Sequence, residues 1–133
     1  MSYTNTFVRI AADCPESHAI EPPARGKTVP VHTIQLGLLR DAPYHYTHEA
    51  LVVESELRRD PEEKETRAEI VKRVRSKPIP CLRCSSLAKR YGWGFHFDEG
   101  GKIAVVPAGS AEYRAFEKRK DLQQVHAMRN KKA

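Results

Sequence analysis

The chain has 133 residues, 40% of them hydrophobic and 30% charged, with a formal net charge of +6. That length suits one domain with a real core, the balance is too apolar for wholesale disorder, and no run nears the roughly 18 apolar residues that span a bilayer. Three cysteines, and an opening with no basic stretch ahead of an apolar block, argue against a disulfide framework and a secretory leader, so the cytoplasm is the expected compartment.

Tyr3 to Ala11 (YTNTFVRIA) reads as a first strand. Asp13 to Lys27, with three prolines and a glycine, reads as a flexible surface loop. Thr28 is expected to cap a helix with Pro30 in its first turn and Val31, Ile34 and Leu38 on one face. Asp41 to Thr47 (DAPYHYT) ends it. Thr47 can cap the next segment, 48–60, where the short apolar run Leu51–Val53 also suits a strand, but the flanking Glu and Arg residues favour helix.

Asp60, Pro61 and Glu63 form an N-cap, a first-turn proline and a capping box, and predict a third helix. Ile70, Val71 and Val74 supply its apolar stripe, Glu63–Arg67 and Glu69–Arg73 are spaced for i,i+4 pairing, and Pro78 and Pro80 stop it. Next, Tyr91, Trp93, Phe95 and Phe97 alternate with Gly92, Gly94 and His96, so the large rings share one strand face. Asp98–Gly101 (DEGG) supplies the turn, and Lys102–Pro107 returns as the partner strand. Ser110 caps a last helix through Tyr113 and Phe116 and on to Leu122, Val125 and Met128, ahead of a basic tail at 129–133. The order is α+β: a small antiparallel sheet, made of the N-terminal strand and the C-terminal hairpin, packed against about four helices in a single domain over 1–133. Three helices ahead of a hairpin also follow the order of a winged helix, which the leading strand and the acidic second helix fit less well.

The charge is polarised. Lys72, Arg73, Arg75, Lys77, Arg83, Lys89 and Arg90 run without an acidic residue between them, whereas Glu49 to Glu69 is acidic on balance. This permits an anionic partner. Arg83, Lys89 and Arg90 could donate to phosphate or carboxylate, with Trp93 and His96 shaping the site beside the small Gly92 and Gly94. The leading expectation is a module that binds an anionic ligand, nucleotide or nucleic acid, on the basic hairpin surface. Against it stands the plainer reading that the rings are core, the glycines let a helix pack close, and His96 is structural.

Cys81 and Cys84 give one C-x-x-C knuckle. Structural zinc takes four ligands, usually as two knuckles, so no metal site is expected; a scattered set with His96 and a fourth ligand is the weaker alternative. The neighbouring cations favour a reactive Cys81, and a thiol-dependent or acid–base enzyme using Cys81 with His96 as base is the second function considered. A protein–protein adaptor is the third. His45 and His48 are three apart, but Thr47 as cap leaves His45 outside the helix, so solvated histidines are the expectation there. Glycine-rich phosphate loops, nucleophile elbows and H-E-x-x-H are absent, and no cofactor is implied.

The ordered set NTF (Asn5–Phe7), DCP (Asp13–Pro15), PYHYT (Pro43–Thr47), PCLR (Pro80–Arg83) and KRYGWGFHFD (Lys89–Asp98) resembles an uncharacterised family of short microbial proteins, a domain of unknown function. The likeness runs from the first strand to AMR (Ala127–Arg129), and the KRYGWG-x-HFD block is its most specific part. That family's pattern has alanine where this chain has Cys84, which makes the second sulfur peculiar to this chain and weakens readings that need both. The resemblance implies a compact single domain and brings no activity with it.

Overall fold

A computed structural model describes residues 3–23, 30–59, 64–76 and 81–130. Four strands, β1 (Thr6–Arg9), β2 (Trp93–Phe97), β3 (Ile103–Pro107) and β4 (Gln123–His126), form one sheet in the order β3-β2-β1-β4. Five helices accompany it: α1 (Val31–Asp41), α2 (His48–Arg59), α3 (Arg67–Arg75), α4 (Ser86–Arg90) and α5 (Ala111–Glu117). A 3-10 turn, Leu82–Cys84, precedes α4. The fold class is α+β.

Strand alternation sorts the core into two sides. Val8, Phe95, Phe97 and Ile103 face α1 and α4 and join Leu36, Leu39, Leu51, Leu82, Leu87 and Trp93 in the main core. Phe7 and Val106 face α5 and pack with Tyr113 and Leu122. Each fully buried ring or aliphatic chain stabilises the fold by about 1.5–3 kcal/mol. Both faces of β2 are covered, and all five of its residues are buried. Beyond α1, α2 packs on α1, and α3 packs on α2 through a small cluster of Val53, Ile70 and Val74.

Local chemistry fixes the turns. Asp98 Oδ1 accepts from the N–H groups of Gly100 and Lys102, both at 2.9 Å, and Gly101 takes the left-handed position with φ 78°. Ser110 Oγ accepts from Tyr113 N–H and starts α5. The Tyr113 hydroxyl then accepts from Ile10 N–H at 2.9 Å, tying α5 to the end of β1.

The structure corrects the expected layout in three places. Helix α5 stops at Glu117, and Gln123–His126 is a strand parallel to β1, so the sheet is mixed rather than antiparallel. The Leu122, Val125, Met128 spacing looked helical, but the second edge of β1 offers backbone partners that a short isolated helix lacks. Second, α3 begins at Arg67: Thr66 caps it, with the Glu69 side chain closing the capping box. Glu69 is therefore taken up by the cap, and Arg73 pairs with Glu65 and Glu56 instead. Third, α1 begins at Val31 with extended Pro30 as its N-cap residue, so the proline precedes the first turn. Thr28, Asp60, Pro61, Glu63, Pro78 and Pro80 lie outside the described residues, as do parts of the 13–27 loop and of the 129–133 tail.

The described part of the proline-rich segment lies against the sheet. Ala19 and Ile20 donate N–H groups to Ala108 and Tyr91, and Ile20 O accepts from Trp93 Nε1 at 2.8 Å. Asn130 in turn donates to the Asp13 carboxylate and to Lys89 O.

Candidate functional site

The residues singled out from sequence fall into three places. On the α5 side of the sheet, His96 is 7% exposed, with its Nδ1 2.7 Å from the Tyr44 hydroxyl and its ring 4.5 Å from that of Phe116. Burial, and then the Arg119 guanidinium, hold its pKa below the usual histidine value, while Asp98 and Asp121 pull the other way. The cation nearest in effect is thus Arg119, not Arg83, Lys89 or Arg90. Nor is there a glycine-lined hollow beside it. A Cβ on Gly94 would lie 2.9 Å from Val8 O and 3.0 Å from the Tyr113 ring, and one on Gly92 would lie 2.7 Å from His18 O. Helix α5 and the His18–Ala19 backbone already fill that space.

Trp93 faces the opposite side. It is 8% exposed, its indole N–H is engaged by Ile20, and the Arg40 guanidinium lies 5.5 Å from its ring centroid. A base has no open ring face to stack on there.

Cys81, Arg83, Lys89 and Arg90 lie off the hairpin, on the 3-10 turn and α4. Arg83 Nε donates to His126 O at 2.7 Å, and Arg83 O accepts from Met128 N–H, so this residue pins the end of β4. Arg90 is exposed. Arg83 and Lys89 both act electrostatically on the Cys84 thiol. The structure therefore gathers Cys81, Arg83 and Lys89 loosely around Cys84, and it leaves His96 and Trp93 apart from them and from each other. Cys81 and His96 stand against opposite faces of the sheet, and no contact joins thiol to imidazole.

What Cys81 does meet is a cavity of about 290 Å³ between α1, α2 and the turn. Val31, His32 and Gln35 enter from α1, and His48, Val52, Glu56 and Arg59 from α2. Cys81, Leu82, Cys84, Ser85 and Ser86 close it. The spacing of the α2 set, His48, Val52, Glu56 and Arg59, is one helix face. Leu82 is buried in the main core and anchors the turn, and Ser85 Oγ accepts from Leu87 N–H to start α4 behind it. His48 is 3% exposed, and burial lowers its pKa, so a neutral imidazole lines the wall.

One carboxylate and one guanidinium line this wall among the described residues, Glu56 and Arg59, 3.7 Å apart. Arg73 also reaches Glu56 at 3.4 Å, but it holds Glu65 more closely, at 2.9 Å. Cys81 and Cys84 bracket a single 3-10 turn, and Cys84 N–H donates to Cys81 O at 3.0 Å. Burial first, and the Cys81 thiol second, push the Cys84 pKa up, against the pull of Lys89 and Arg83. Among the described residues, no three His, Cys, Asp or Glu side chains converge as a metal site requires.

Sequence reasoning named Cys81 and its cationic neighbours but passed over His32, Gln35, Glu56 and Arg59. The α2 spacing was readable. Its partner surface, a turn more than twenty residues downstream, was not. Both histidines were expected to be solvated: His45 is exposed against Tyr46, but His48 is buried, because it opens α2 on the face that packs inward.

No helix among the described residues is long and apolar enough to cross a membrane. No curated protein and no solved structure matches the chain. The model of DUF6157, a family of unknown function, matches residues 1–133, and the chain belongs to that family.

Proposed function

We propose that the protein is a binding module for a small anionic molecule, held in the cavity between α1, α2 and the Cys81–Ser86 turn. One observation carries this reading. Arg59 meets the one carboxylate in the wall, Glu56, at 3.7 Å, beyond hydrogen-bond distance, so its N–H donors can turn to an incoming anion. Gln35, Ser85 and Ser86 add hydrogen-bonding groups, and Val31, Val52 and Leu82 give apolar contact, the mixture usual in ligand pockets. A volume of about 290 Å³ sits at the small end of such pockets. It suits a phosphate monoester or a short organic acid rather than a nucleic-acid strand.

The test is a titration of isotope-labelled protein with inorganic phosphate and with succinate, read by backbone amide shifts. Binding should perturb residues 31–35, 48–59 and 81–86 together, weaken as salt rises, and weaken again in Arg59→Gln. Shifts confined to the basic C-terminal residues, or tighter binding of a single-stranded oligonucleotide than of either small anion, would contradict it.

A further inference from the structure

We infer that Cys81 and Cys84 form a dithiol couple that exchanges with a small anionic disulfide admitted to the cavity. This rests on the cavity being the ligand site and adds a reaction to it. Both thiols line the cavity; Cys14 does not. Cys84 is exposed and Cys81 half-buried, so a reagent can reach both. A disulfide needs Cα atoms roughly 4.4–6.8 Å apart with the Cβ atoms closer still. The chain is already folded for this: Cys84 N–H donates to Cys81 O at 3.0 Å across a single turn, and both residues line the same cavity.

The positions also set an order. Cys81, itself extended, is the N-cap residue of the turn, against the wall carrying His48 and Arg59. Its thiolate attacks one sulfur of the disulfide; a Cys81–sulfur bond forms, the reagent's sulfur–sulfur bond breaks, and the released thiolate takes a proton. Cys84 then attacks Cys81 Sγ, forming the internal disulfide and releasing the second thiolate. Two electrons pass from the protein dithiol to the reagent, which leaves as two thiols, and excess monothiol drives the same steps backwards. The first step removes the Cys81 thiol that had raised the Cys84 pKa, while Lys89 and Arg83 still favour its thiolate. Capture of Cys81 thus readies Cys84.

The probe is dithiodipropionate, a small dianionic disulfide, with cystamine as its dicationic counterpart of equal length. Treated wild-type protein should lose the mass of two hydrogens, and non-reducing peptide mapping should place the new bond between Cys81 and Cys84 with Cys14 still reduced. In Cys84→Ser the reaction should stop at a mixed disulfide on Cys81, which should decay at least about tenfold more slowly than in wild type. A persistent mixed disulfide in wild type, or first capture at Cys14, overturns the proposal, and mapping of wild type alone decides this if the variant misfolds. Equal rates with cystamine would overturn the anionic preference and leave the exchange standing. Phosphate shifts at the cavity with both thiols untouched by either disulfide would overturn the exchange and leave the binding site standing.

Discussion

The Tyr44 hydroxyl and Nδ1 of His96 share a 2.7 Å hydrogen bond across the edge of the sheet. Tyr44 reaches it because residues 44–47 run along the outer edge of β3: Tyr44 N–H donates to Ile103 O, and Tyr46 O accepts from Ile103 N–H. Holding that course places Tyr44 at φ 59°, a left-handed conformation rare outside glycine. Burial raises the Tyr44 pKa and lowers that of His96, which favours a neutral phenol beside a neutral imidazole. Tyr44→Phe leaves a buried ring nitrogen without its partner and should cost about 1–2 kcal/mol in a urea titration. An unchanged midpoint would show that the bond contributes nothing.

Acid should destabilise the fold through its buried histidines. Burial depresses the pKa of both His96 and His48 in the folded state, so below about 6.5 the unfolded chain binds more protons than the native one. Their contribution to stability is present above that value and is lost as pH falls through the folded values. Urea midpoints measured from about pH 7.5 downward should decline, and less steeply in His96→Gln. A decline of equal slope in that variant would assign the acid sensitivity elsewhere.

Two glycines should respond in opposite directions to alanine. Gly94→Ala drives a Cβ to 2.9 Å from Val8 O and 3.0 Å from the Tyr113 ring, which should cost about 1–3 kcal/mol. Gly37 sits exposed in α1 with nothing within 4 Å of an added Cβ, so Gly37→Ala should stabilise by about 0.5–1 kcal/mol. Thermal midpoints of the two variants, moving apart from wild type, provide the check.

Much of this was legible in the sequence, and the failures have physical causes. The β2–β3 hairpin was readable because its period-2 aromatics and its Asp-Glu-Gly-Gly turn act within about fifteen residues. The end of α5 was not, because Gln123–His126 owes its strand to hydrogen bonds with β1, more than a hundred residues away. Asp60–Glu63 carried a stronger helix-start signal than Thr66, yet the box that forms is Thr66 with Glu69, directly ahead of Ile70 and Val74 where α3 meets α2. At the site, Cys81 could be named, but its companions on α1 and α2 are tertiary neighbours. His96 was its partner only if the hairpin folded back onto the turn, and the sheet places the two on opposite sides.

The α3–α2 contact should open before the rest of the fold. It rests on Val53, Ile70 and Val74 and on exposed ion pairs, Arg75–Glu49, Arg67–Glu54 and Arg73–Glu56. Exposed pairs weaken as salt rises, whereas apolar contact does not. Amide exchange in Arg67–Arg75 should quicken in Ile70→Ala while β1 and β2 keep their protection, and in wild type it should quicken modestly with added sodium chloride. Loss of protection in the central strands at the same rate would show one cooperative unit instead.

The claim that matters most is that Cys81 looks into a cavity whose wall favours anions. Its alkylation by iodoacetate and by iodoacetamide, each scaled to a free thiol under the same conditions, tests this directly. The account predicts a relative preference for the charged reagent that falls with salt and with Arg59→Gln. Equal scaled rates for the two reagents, or a preference for the neutral one, would contradict it.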